Sequence, residues 1–409
     1  MSPNQASLDR ARELQEKTID YLAFKSDIKR LERENDQHYK EQKQALLTWF
    51  NGTESDWHDW HWQMKHRITD PDLLARFVSF DEAQLADIRQ VAAINRFAIV
   101  PYYLALINER DDDPIKMLSV PSIQEVLDTS GDNDPMDEEH TNPAGSVTRR
   151  YPDRLIINVT NICAMYCRHC QRRRLIGETD HHTPDAIVDE SIAYVRDHPE
   201  IRDVLLTGGD ALLLSDRQLE RILAALRTID HVEIIRIGSR TPVTMPMRIT
   251  NELVNMISKY HPVYLNTHFN HSFEVTDEAR EACRKLVDAG ISVGNQAVLL
   301  RGLNDTPYKM TYLNQKLLQA RIRPYYIFHA KSVRGTSHLI PSLDDGLAIM
   351  EFMRGFTSGM AIPTYIMNAP GGLGKVPLLP EYIVKRDGQT YTIRTWENRT
   401  FTYESRRHQ

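Results

Sequence analysis

Residues 155–170 read LIINVTNICAMYCRHC, a β-branched run followed at once by three cysteines within eight residues. The run Leu155–Val159 predicts a buried strand, because short β-branched segments fit the pleated surface of a sheet. Cys163, Cys167 and Cys170 then follow with the spacing C-x3-C-x2-C. The first feature that the sequence predicts is therefore a metal or redox site directly after a strand.

Six further runs have strand character, and four successive ones begin 29 to 30 residues apart. They are Val204–Thr207, Ile234–Ile237, Val263–Asn266, Val293–Leu299, Tyr325–Phe328 and Thr364–Met367. This spacing is typical of repeated β-α units, which build a parallel sheet. The intervening helices have N-cap candidates at Thr183-Pro184, Ser215, Thr250, Thr276 and Ser342. In barrels of this class, functional groups collect at the carboxyl ends of the strands.

The region before the first strand has a different composition. Residues Leu8–Phe50 predict a charged helix, and four of the five tryptophans lie within the first 62 residues. Tryptophans at this density favour packing of one module against another. We divide the chain into a helical N-terminal region (1–127), a linker and pre-barrel loop (128–150), a barrel (151–382) and a C-terminal extension (383–409).

The composition excludes several classes of protein. The chain has 409 residues and a formal net charge of −6, so general nucleic-acid binding is disfavoured. We find no apolar signal core and no apolar run long enough to cross a bilayer, so we expect a cytoplasmic protein. Three of the four cysteines are clustered, which argues against a disulfide scaffold. The fourth, Cys283, shares a helical face with Leu286 and is predicted to lie in the core.

The cysteine spacing leaves three chemistries open. A redox pair of Cys167 and Cys170 would not need Cys163. A structural zinc site needs four ligands, and His169 lies awkwardly between two of them. An iron–sulfur cluster normally takes four thiolates. Three thiolates would leave one iron open to a substrate or a second cofactor.

A second motif, Ala369-Pro-Gly-Gly-Leu-Gly-Lys375-Val-Pro, follows the last predicted strand. It is not a Walker A loop, because Ala369 and Val376 occupy positions where that motif has Gly and Ser or Thr. The simplest interpretation is a Gly-rich turn with a solvent-facing lysine. A lysine at the end of a barrel strand can also form a Schiff base with pyridoxal phosphate.

Taken together, these motifs resemble the lysine 2,3-aminomutase family of radical S-adenosylmethionine, pyridoxal-phosphate-dependent enzymes. The resemblance runs from about Trp57 to Tyr382. It is carried by Trp57–Trp60, Arg150–Arg154, Cys163–Arg174, Thr207–Leu213, Arg236–Pro242, Leu265–His271, Gly294–Asp305, Arg323–Ile327 and Ala369–Pro377. It implies a partial (β/α)6 barrel with a helical N-terminal extension, and an isomerase that moves an amino group between two carbons of an amino acid.

The resemblance also implies cofactors and partners. The cofactors would be a 4Fe–4S cluster, S-adenosylmethionine and pyridoxal 5′-phosphate. The partners would be a small-molecule amino acid, an electron donor such as flavodoxin or ferredoxin, and further copies of the chain in a homo-oligomer.

The same resemblance assigns roles to individual residues. Lys375 would hold pyridoxal phosphate, and Arg172 would bind the substrate α-carboxylate. Cys163, Cys167 and Cys170 would hold the cluster. Five residues would line the S-adenosylmethionine site: Gly208, Gly209, Ser239, His268 and Gln296. Arg150 and Arg154 are candidates for the cofactor phosphate, and Tyr151 is a candidate neighbour of its ring.

Two departures from the family pattern bear on the substrate. In lysine-specific members, two aspartates bind the distal ammonium, and here those positions are Lys331 and Asn368. A cation with an amide donor suits a carboxylate, because a buried charge must meet its opposite. Glutamate, converted to β-glutamate, is the predicted substrate.

A third departure concerns zinc. Lysine-type members of the family have an extra zinc site that is built partly from C-terminal cysteines. In this chain, Thr306 occupies the position in the barrel that belongs to that site, and no cysteine follows Tyr382. We therefore expect no zinc. The alternatives that remain are a mutase for lysine or another α-amino acid, a radical enzyme acting on a protein lysine, and a non-enzymatic zinc module.

Overall fold

The predicted parallel sheet is present in the computed structural model, which describes residues 3–405. Twelve strands occur in the described residues. They are β1 (Val147–Thr148), β2 (Arg154–Thr160), β3 (Asp203–Gly208), β4 (Ile234–Gly238), β5 (Val263–Thr267), β6 (Ser292–Leu299), β7 (Arg323–His329), β8 (Thr364–Ala369), β9 (Gly374–Pro377), β10 (Ile383–Asp387), β11 (Thr390–Arg394) and β12 (Thr400–Glu404). All seven predicted strands are confirmed as β2 to β8.

The main sheet follows chain order from β1 to β9. Strands β2 to β8 pair in parallel, and β1 and β9 add antiparallel strands at the two edges. The result is six β-α units followed by a seventh parallel strand, so the predicted partial (β/α)6 barrel is confirmed. Strands β10 to β12 form a separate antiparallel sheet that the sequence analysis did not predict.

Helices fill the N-terminal region and cover the outside of the barrel. The N-terminal ones are α1 (Pro3–Glu16), α2 (Ile19–Trp49), α3 (Glu54–Trp57), α4 (Trp60–Lys65), α5 (Pro71–Leu74), α6 (Glu82–Ala92), α7 (Pro101–Ala105), α8 (Pro114–Ser119) and α9 (Gln124–Leu127). Those of the barrel are α10 (Arg173–Ile176), α11 (Asp185–Asp197), α12 (Asp216–Arg227), α13 (Thr241–Thr244), α14 (Asn251–Ser258), α15 (Asp277–Asp288), α16 (Pro307–Gln319) and α17 (Leu343–Phe356). Among residues 3–405, we find no helix with the length and apolarity needed to span a bilayer.

Four of the five predicted N-caps are confirmed. The side chains of Ser215, Thr250, Thr276 and Ser342 each accept a backbone hydrogen bond in the first turn of their helix. The fifth, Thr183-Pro184, marks the start of a helix as predicted but provides no side-chain cap. Helix α11 has Pro184 as its N-cap, and the Thr183 hydroxyl instead donates to the Asn158 carbonyl of β2 at 2.8 Å.

The predicted helix Leu8–Phe50 is interrupted at Lys17-Thr18, between α1 and α2. The Thr18 hydroxyl donates to the Gln15 carbonyl at 2.7 Å. Threonine side chains compete in this way for backbone groups, and a hydrophobic pattern does not show the competition.

The tryptophan-rich segment packs against the barrel, as predicted. Trp57 is fully buried, and the Arg248 guanidinium lies 4.7 Å from the Trp60 ring centre. Arg248 also donates to the Leu212 carbonyl after β3 at 2.7 Å, so the side chain that contacts Trp60 is itself anchored in the barrel. Cys283 is fully buried on α15 and belongs to the core.

Gly346 of α17 packs directly on Tyr365 of β8. A methyl group added at Gly346 would overlap the Tyr365 ring, whereas one added at Gly359 would meet nothing within 4 Å. We expect Gly346→Ala to destabilise the fold by about 1–3 kcal/mol, because overpacking displaces neighbours. Gly359→Ala is the matched control and should change stability by less than about 0.5 kcal/mol. Urea denaturation compares them, and equal midpoints would contradict the packing described.

Candidate active site

A cavity of about 280 Å³ lies at the carboxyl ends of the parallel strands. Thirteen predicted site residues line it: Arg150, Cys163, Cys167, Cys170, Arg172, Gly208, Gly209, Ser239, His268, Gln296, Lys331, Asn368 and Lys375. The parallel sheet brings these residues together although they span more than half of the chain. Tyr151 and Arg154 are not among the residues that line the cavity. They lie beside it, with the Arg154 guanidinium 4.0 Å from the Tyr151 ring centre.

The cysteine loop after β2 is held from outside by charged side chains. Arg168 donates to the Glu125 carboxylate at 2.8 and 2.5 Å, and both residues are buried. Arg67 donates to the Cys163 carbonyl at 2.9 Å and also pairs with Asp180. These contacts hold the loop through groups that do not line the cavity.

Two features of the three cysteines fit a shared metal cluster. All three are free thiols on one cavity wall, and Cys170 N–H donates to the Cys167 carbonyl at 3.1 Å in a tight turn. Within residues 3–405, no group of three or more His, Cys, Asp or Glu side chains is placed to hold a single metal ion. In an iron–sulfur cluster each cysteine binds a different iron, so its thiols lie further apart than the ligands of one ion.

Arg240 was missed as a site residue by the sequence analysis. Its guanidinium donates to Cys167 Sγ at 2.6 Å and pairs with the buried Glu274 at 2.7 Å. The guanidinium therefore places a positive charge in direct contact with the sulfur of a predicted cluster ligand. Only the position of Arg240, directly after Ser239 at the end of β4, could have suggested such a role.

Gly208 and Gly209 allow β3 to approach the segment that leads into the cysteine loop. A methyl group at either position would overlap the backbone of Thr160 or Ile162. The Gly209 N–H donates to the Thr160 carbonyl at 2.6 Å. The next residue, Asp210, is buried and accepts from the Ser239 hydroxyl at 2.6 Å. These contacts fix the backbone of this part of the cavity lining.

The His268 ring contacts the backbone of Gln296, and both residues line the cavity. Burial lowers the pKa of His268 to about 4, so its ring is neutral near pH 7. Its Nδ1 lies 2.9 Å from the Gln296 carbonyl, which can only accept, so Nδ1 carries the proton and Nε2 is an acceptor. His169 also lines the cavity, and its buried Nδ1 has no hydrogen-bond partner within the described residues.

Lys375 lies on β9, directly opposite Asn368 of β8 in the antiparallel register. Its Nζ lies 5.0 Å from the Tyr326 ring centre and 5.7 Å from that of Phe328. Burial lowers the pKa of Lys375 to about 8, and the positive charges of Arg236, Arg154 and Arg150 act in the same direction. A lysine with a lowered pKa is partly neutral near pH 8 and can attack a carbonyl group.

The guanidinium groups around Lys375 suit a phosphate. Arg150 and Arg154 were predicted for this task, and Arg236 of β4 joins them. Arginine binds phosphate through paired donors, and a phosphate would neutralise this concentration of positive charge. Arg236 was missed, although a charged residue inside the apolar run Ile234–Ile237 was the signal available.

Arg172 also lines the cavity and is paired with a residue that the sequence analysis missed. Its Nε and Nη2 donate to the buried Glu138 carboxylate at 3.0 to 3.2 Å. Glu138 comes from the predicted linker, where many acidic residues gave no reason to single it out. Burial would raise the pKa of Glu138, but Arg172, Arg150 and Lys331 hold it below its ordinary value.

Lys331 and Asn368 both line the cavity. Burial and the charges of Arg172 and Arg150 together lower the pKa of Lys331 to about 7, while Glu138 opposes the shift. The Asn368 Nδ2 group is buried, and no acceptor lies within reach in residues 3–405.

Comparison with known proteins gives consistent matches. Residues 157–313 match the radical SAM superfamily, and residues 350–408 match the family described as lysine-2,3-aminomutase. Glutamate 2,3-aminomutase from Clostridioides difficile strain 630 is 55% identical over 97% of this chain and 94% of its own. L-lysine 2,3-aminomutases from Clostridium subterminale and Fusobacterium nucleatum are each 46% identical over 86% of this chain, and over 85% and 84% of theirs.

Cys170→Ala should prevent assembly of the predicted cluster, because it removes one of three thiol ligands. We expect the anaerobically reconstituted variant to lose most of its iron and its brown colour. Cys283→Ala is the matched control, since Cys283 is buried in the core away from the cavity, and it should keep the wild-type iron content. Iron and sulfide analysis measures both. Equal iron in the two variants would contradict a cluster on the 163–170 loop.

Proposed function

The chain belongs to the lysine 2,3-aminomutase family of the radical S-adenosylmethionine superfamily, and on that premise we propose that it is a glutamate 2,3-aminomutase. The reaction would move the amino group of L-glutamate from carbon 2 to carbon 3 and give β-glutamate. No atom is gained or lost overall. The choice of substrate rests on one observation. Lys331 presents a cation to the cavity, and Asn368 presents a hydrogen-bond donor that has no acceptor among the described residues.

Asn368 supports a substrate with an acceptor at this position. A buried donor without an acceptor costs about 1–3 kcal/mol, and a carboxylate oxygen would satisfy the Asn368 Nδ2 group. An ammonium group has three donors and no acceptor, so it could not. The distal carboxylate of glutamate therefore suits this end of the cavity, and the distal ammonium of lysine does not.

Lys331 supports the same choice through charge. The strongest charges acting on it are those of Arg172, Arg150, Lys375 and Glu138, which are three cations against one anion. A second ammonium would add to the repulsion, whereas a carboxylate would relieve it. We assign Lys331 and Asn368 to the distal carboxylate and Arg172 to the α-carboxylate.

Binding at both ends would hold the bond between carbons 2 and 3 of glutamate at one place in the cavity. Fixed placement of reacting atoms is a large part of catalysis. The apolar side chains of Leu205, Val298 and Phe328 also line the cavity and would limit the access of water.

The family's cofactors are a 4Fe–4S cluster, S-adenosylmethionine and pyridoxal 5′-phosphate. When bound, they supply a radical that removes a hydrogen atom from the substrate and a carbonyl group that carries the amino group. We propose that Cys163, Cys167 and Cys170 hold the cluster and that Lys375 holds pyridoxal phosphate. Arg150, Arg154 and Tyr151 would contact its phosphate and ring.

The remaining site assignments are also proposals. Gly208, Gly209, Ser239, His268 and Gln296 would line the S-adenosylmethionine site, and the neutral His268 could accept a hydrogen bond there. The division of the chain at residues 127, 150 and 382 remains a proposal. So do a flavodoxin or ferredoxin as electron donor, a homo-oligomer, and a reducing, cytoplasmic setting for the three cavity thiols.

The direct test is an anaerobic assay of the enzyme reconstituted with iron, sulfide, pyridoxal phosphate, S-adenosylmethionine and dithionite. Glutamate and lysine are offered in separate reactions, and the products are identified by NMR. We expect β-glutamate and no β-lysine. β-Lysine alone would keep the family assignment and overturn the assignment of Lys331 and Asn368.

Exchanging the two cavity residues should exchange the substrate. Lys331→Asp combined with Asn368→Asp replaces a cation and a donor by two carboxylates, which pair with an ammonium. We expect glutamate turnover to fall at least about a hundredfold, since unpaired buried charges cost several kcal/mol, and lysine turnover to appear. Lys331→Arg is the matched control and should keep the preference for glutamate. Retained glutamate turnover in the double variant would contradict the proposal.

The charge of Lys331 should give the reaction a pH dependence. Its pKa is about 7 before a carboxylate binds, and a bound carboxylate stabilises the ammonium and raises that pKa. Binding above pH 7 therefore takes up a proton, so kcat/KM for glutamate should fall as the pH rises, by up to about tenfold per unit. Arginine stays charged over this pH range, so the Lys331→Arg variant should not show this fall in kcat/KM. Identical pH profiles for the two enzymes would contradict it.

A further inference from the structure

Glu138 occupies a central position among the cavity cations. Its carboxylate is buried, with 7% of the residue exposed, and accepts three hydrogen bonds from Arg172 at 3.0 to 3.2 Å. Arg150 Nη2 lies 3.6 Å from the same carboxylate. The charge of Lys331 also acts on this carboxylate. Two arginines from different parts of the chain thus pair with one carboxylate, and a lysine adds its charge.

The hydrogen bonds to Glu138 use one side of the Arg172 guanidinium. They occupy Nε and one Nη2 hydrogen, and the group carries five N–H donors in a rigid fork. Among residues 3–405, the Nη1 donors and the second Nη2 hydrogen have no acceptor, so they remain available for a substrate carboxylate. A paired arginine with a free end is fixed in orientation, whereas an unpaired one would sample several rotamers at an entropic cost.

The segment 131–138, which ends at Glu138, touches each element that carries a proposed substrate residue. Asp132 exchanges backbone hydrogen bonds with Ser332 and Arg334, next to Lys331. The Gly371 N–H, in the turn after Asn368, donates to the Pro135 carbonyl at 3.0 Å. Asp134 pairs with Arg174 at 2.8 Å, close to Arg172.

We propose that Glu138 is a positioning residue that orients Arg172 and stabilises the charge of Lys331, so that both substrate carboxylates are bound in one fixed geometry. The inference rests on the proposed function, because it concerns the binding of a dicarboxylic amino acid. Glu138 does not contact the reacting carbons in this assignment. It acts through Arg172 and Lys331.

The test compares Glu138→Gln with wild type in the reconstituted enzyme. The amide keeps the shape but removes the negative charge, so KM for glutamate should rise about tenfold, the usual effect of losing a hydrogen bond to a charged group, while kcat changes less. The falling limb of kcat/KM should also move to lower pH. Arg172, Arg150 and Lys375 then act on Lys331 without the opposing charge of Glu138.

Glu139→Gln is the matched control. Glu139 is the exposed neighbour of Glu138, and the change removes the same charge from the surface. It should leave KM and the pH profile unchanged. If Glu138→Gln does not fold, Glu138→Asp tests the inference. It keeps the charge and shortens the reach, so KM should rise while the pH limb stays at its wild-type position.

Two failures can be told apart. If wild type makes β-glutamate and the Glu138 variants match it in KM and pH profile, the inference about Glu138 is wrong and the proposed function stands. If wild type neither converts glutamate nor binds it in calorimetry, the proposed function fails, and the inference falls with it. A raised KM with an unmoved pH limb in Glu138→Gln would mean that Glu138 has only a structural role.

Discussion

Parallel pairing of β2 to β8 is the constraint on which the rest of the molecule depends. Each parallel strand delivers its carboxyl end to the same edge of the sheet, so the residues that follow the strands meet in one place. The loop after β2 brings the cysteines, β5 and β6 bring His268 and Gln296, and the loop after β7 brings Lys331. Without this alignment, residues from 150 to 375 could not line one cavity.

The same alignment concentrates positive charge. Arg150, Arg172, Arg236, Lys331 and Lys375 all line the cavity. Charges of one sign in a site shielded from water are costly unless anions balance them. Within the protein, Glu138 pairs with Arg172 at 3.0 Å and Asp203 pairs with Arg236 at 2.7 Å. The remaining excess favours anionic ligands in the cavity, and it adds to burial, which is the main reason why the pKa values of Lys331 and Lys375 are lowered.

Much of this arrangement could be predicted from local patterns. The spacing of β-branched runs located all seven parallel strands, and the cysteine and glycine motifs located two parts of the site. Glu138, Arg236 and Arg240 were missed because their roles depend on neighbours distant in sequence. Glu138 lies 34 residues before Arg172, and Arg240 reaches Cys167 across 73 residues. Two local features were missed for another reason. The helix break at Thr18 and the missing side-chain cap at Thr183 both depend on which backbone carbonyl accepts a hydrogen bond from a single hydroxyl.

The hairpin of β8 and β9 has a consequence for how this enzyme family could diversify. Asn368 and Lys375 are paired across the hairpin, and successive side chains of a strand point to opposite faces. Inserting or deleting one residue in the connecting turn would turn either Asn368 or Lys375 away from the cavity. Replacing Asn368 in place would leave the proposed cofactor lysine where it is, whereas a change in the length of this turn would disturb both residues at once. The hairpin thus places the proposed substrate residue and the proposed cofactor lysine under one backbone register.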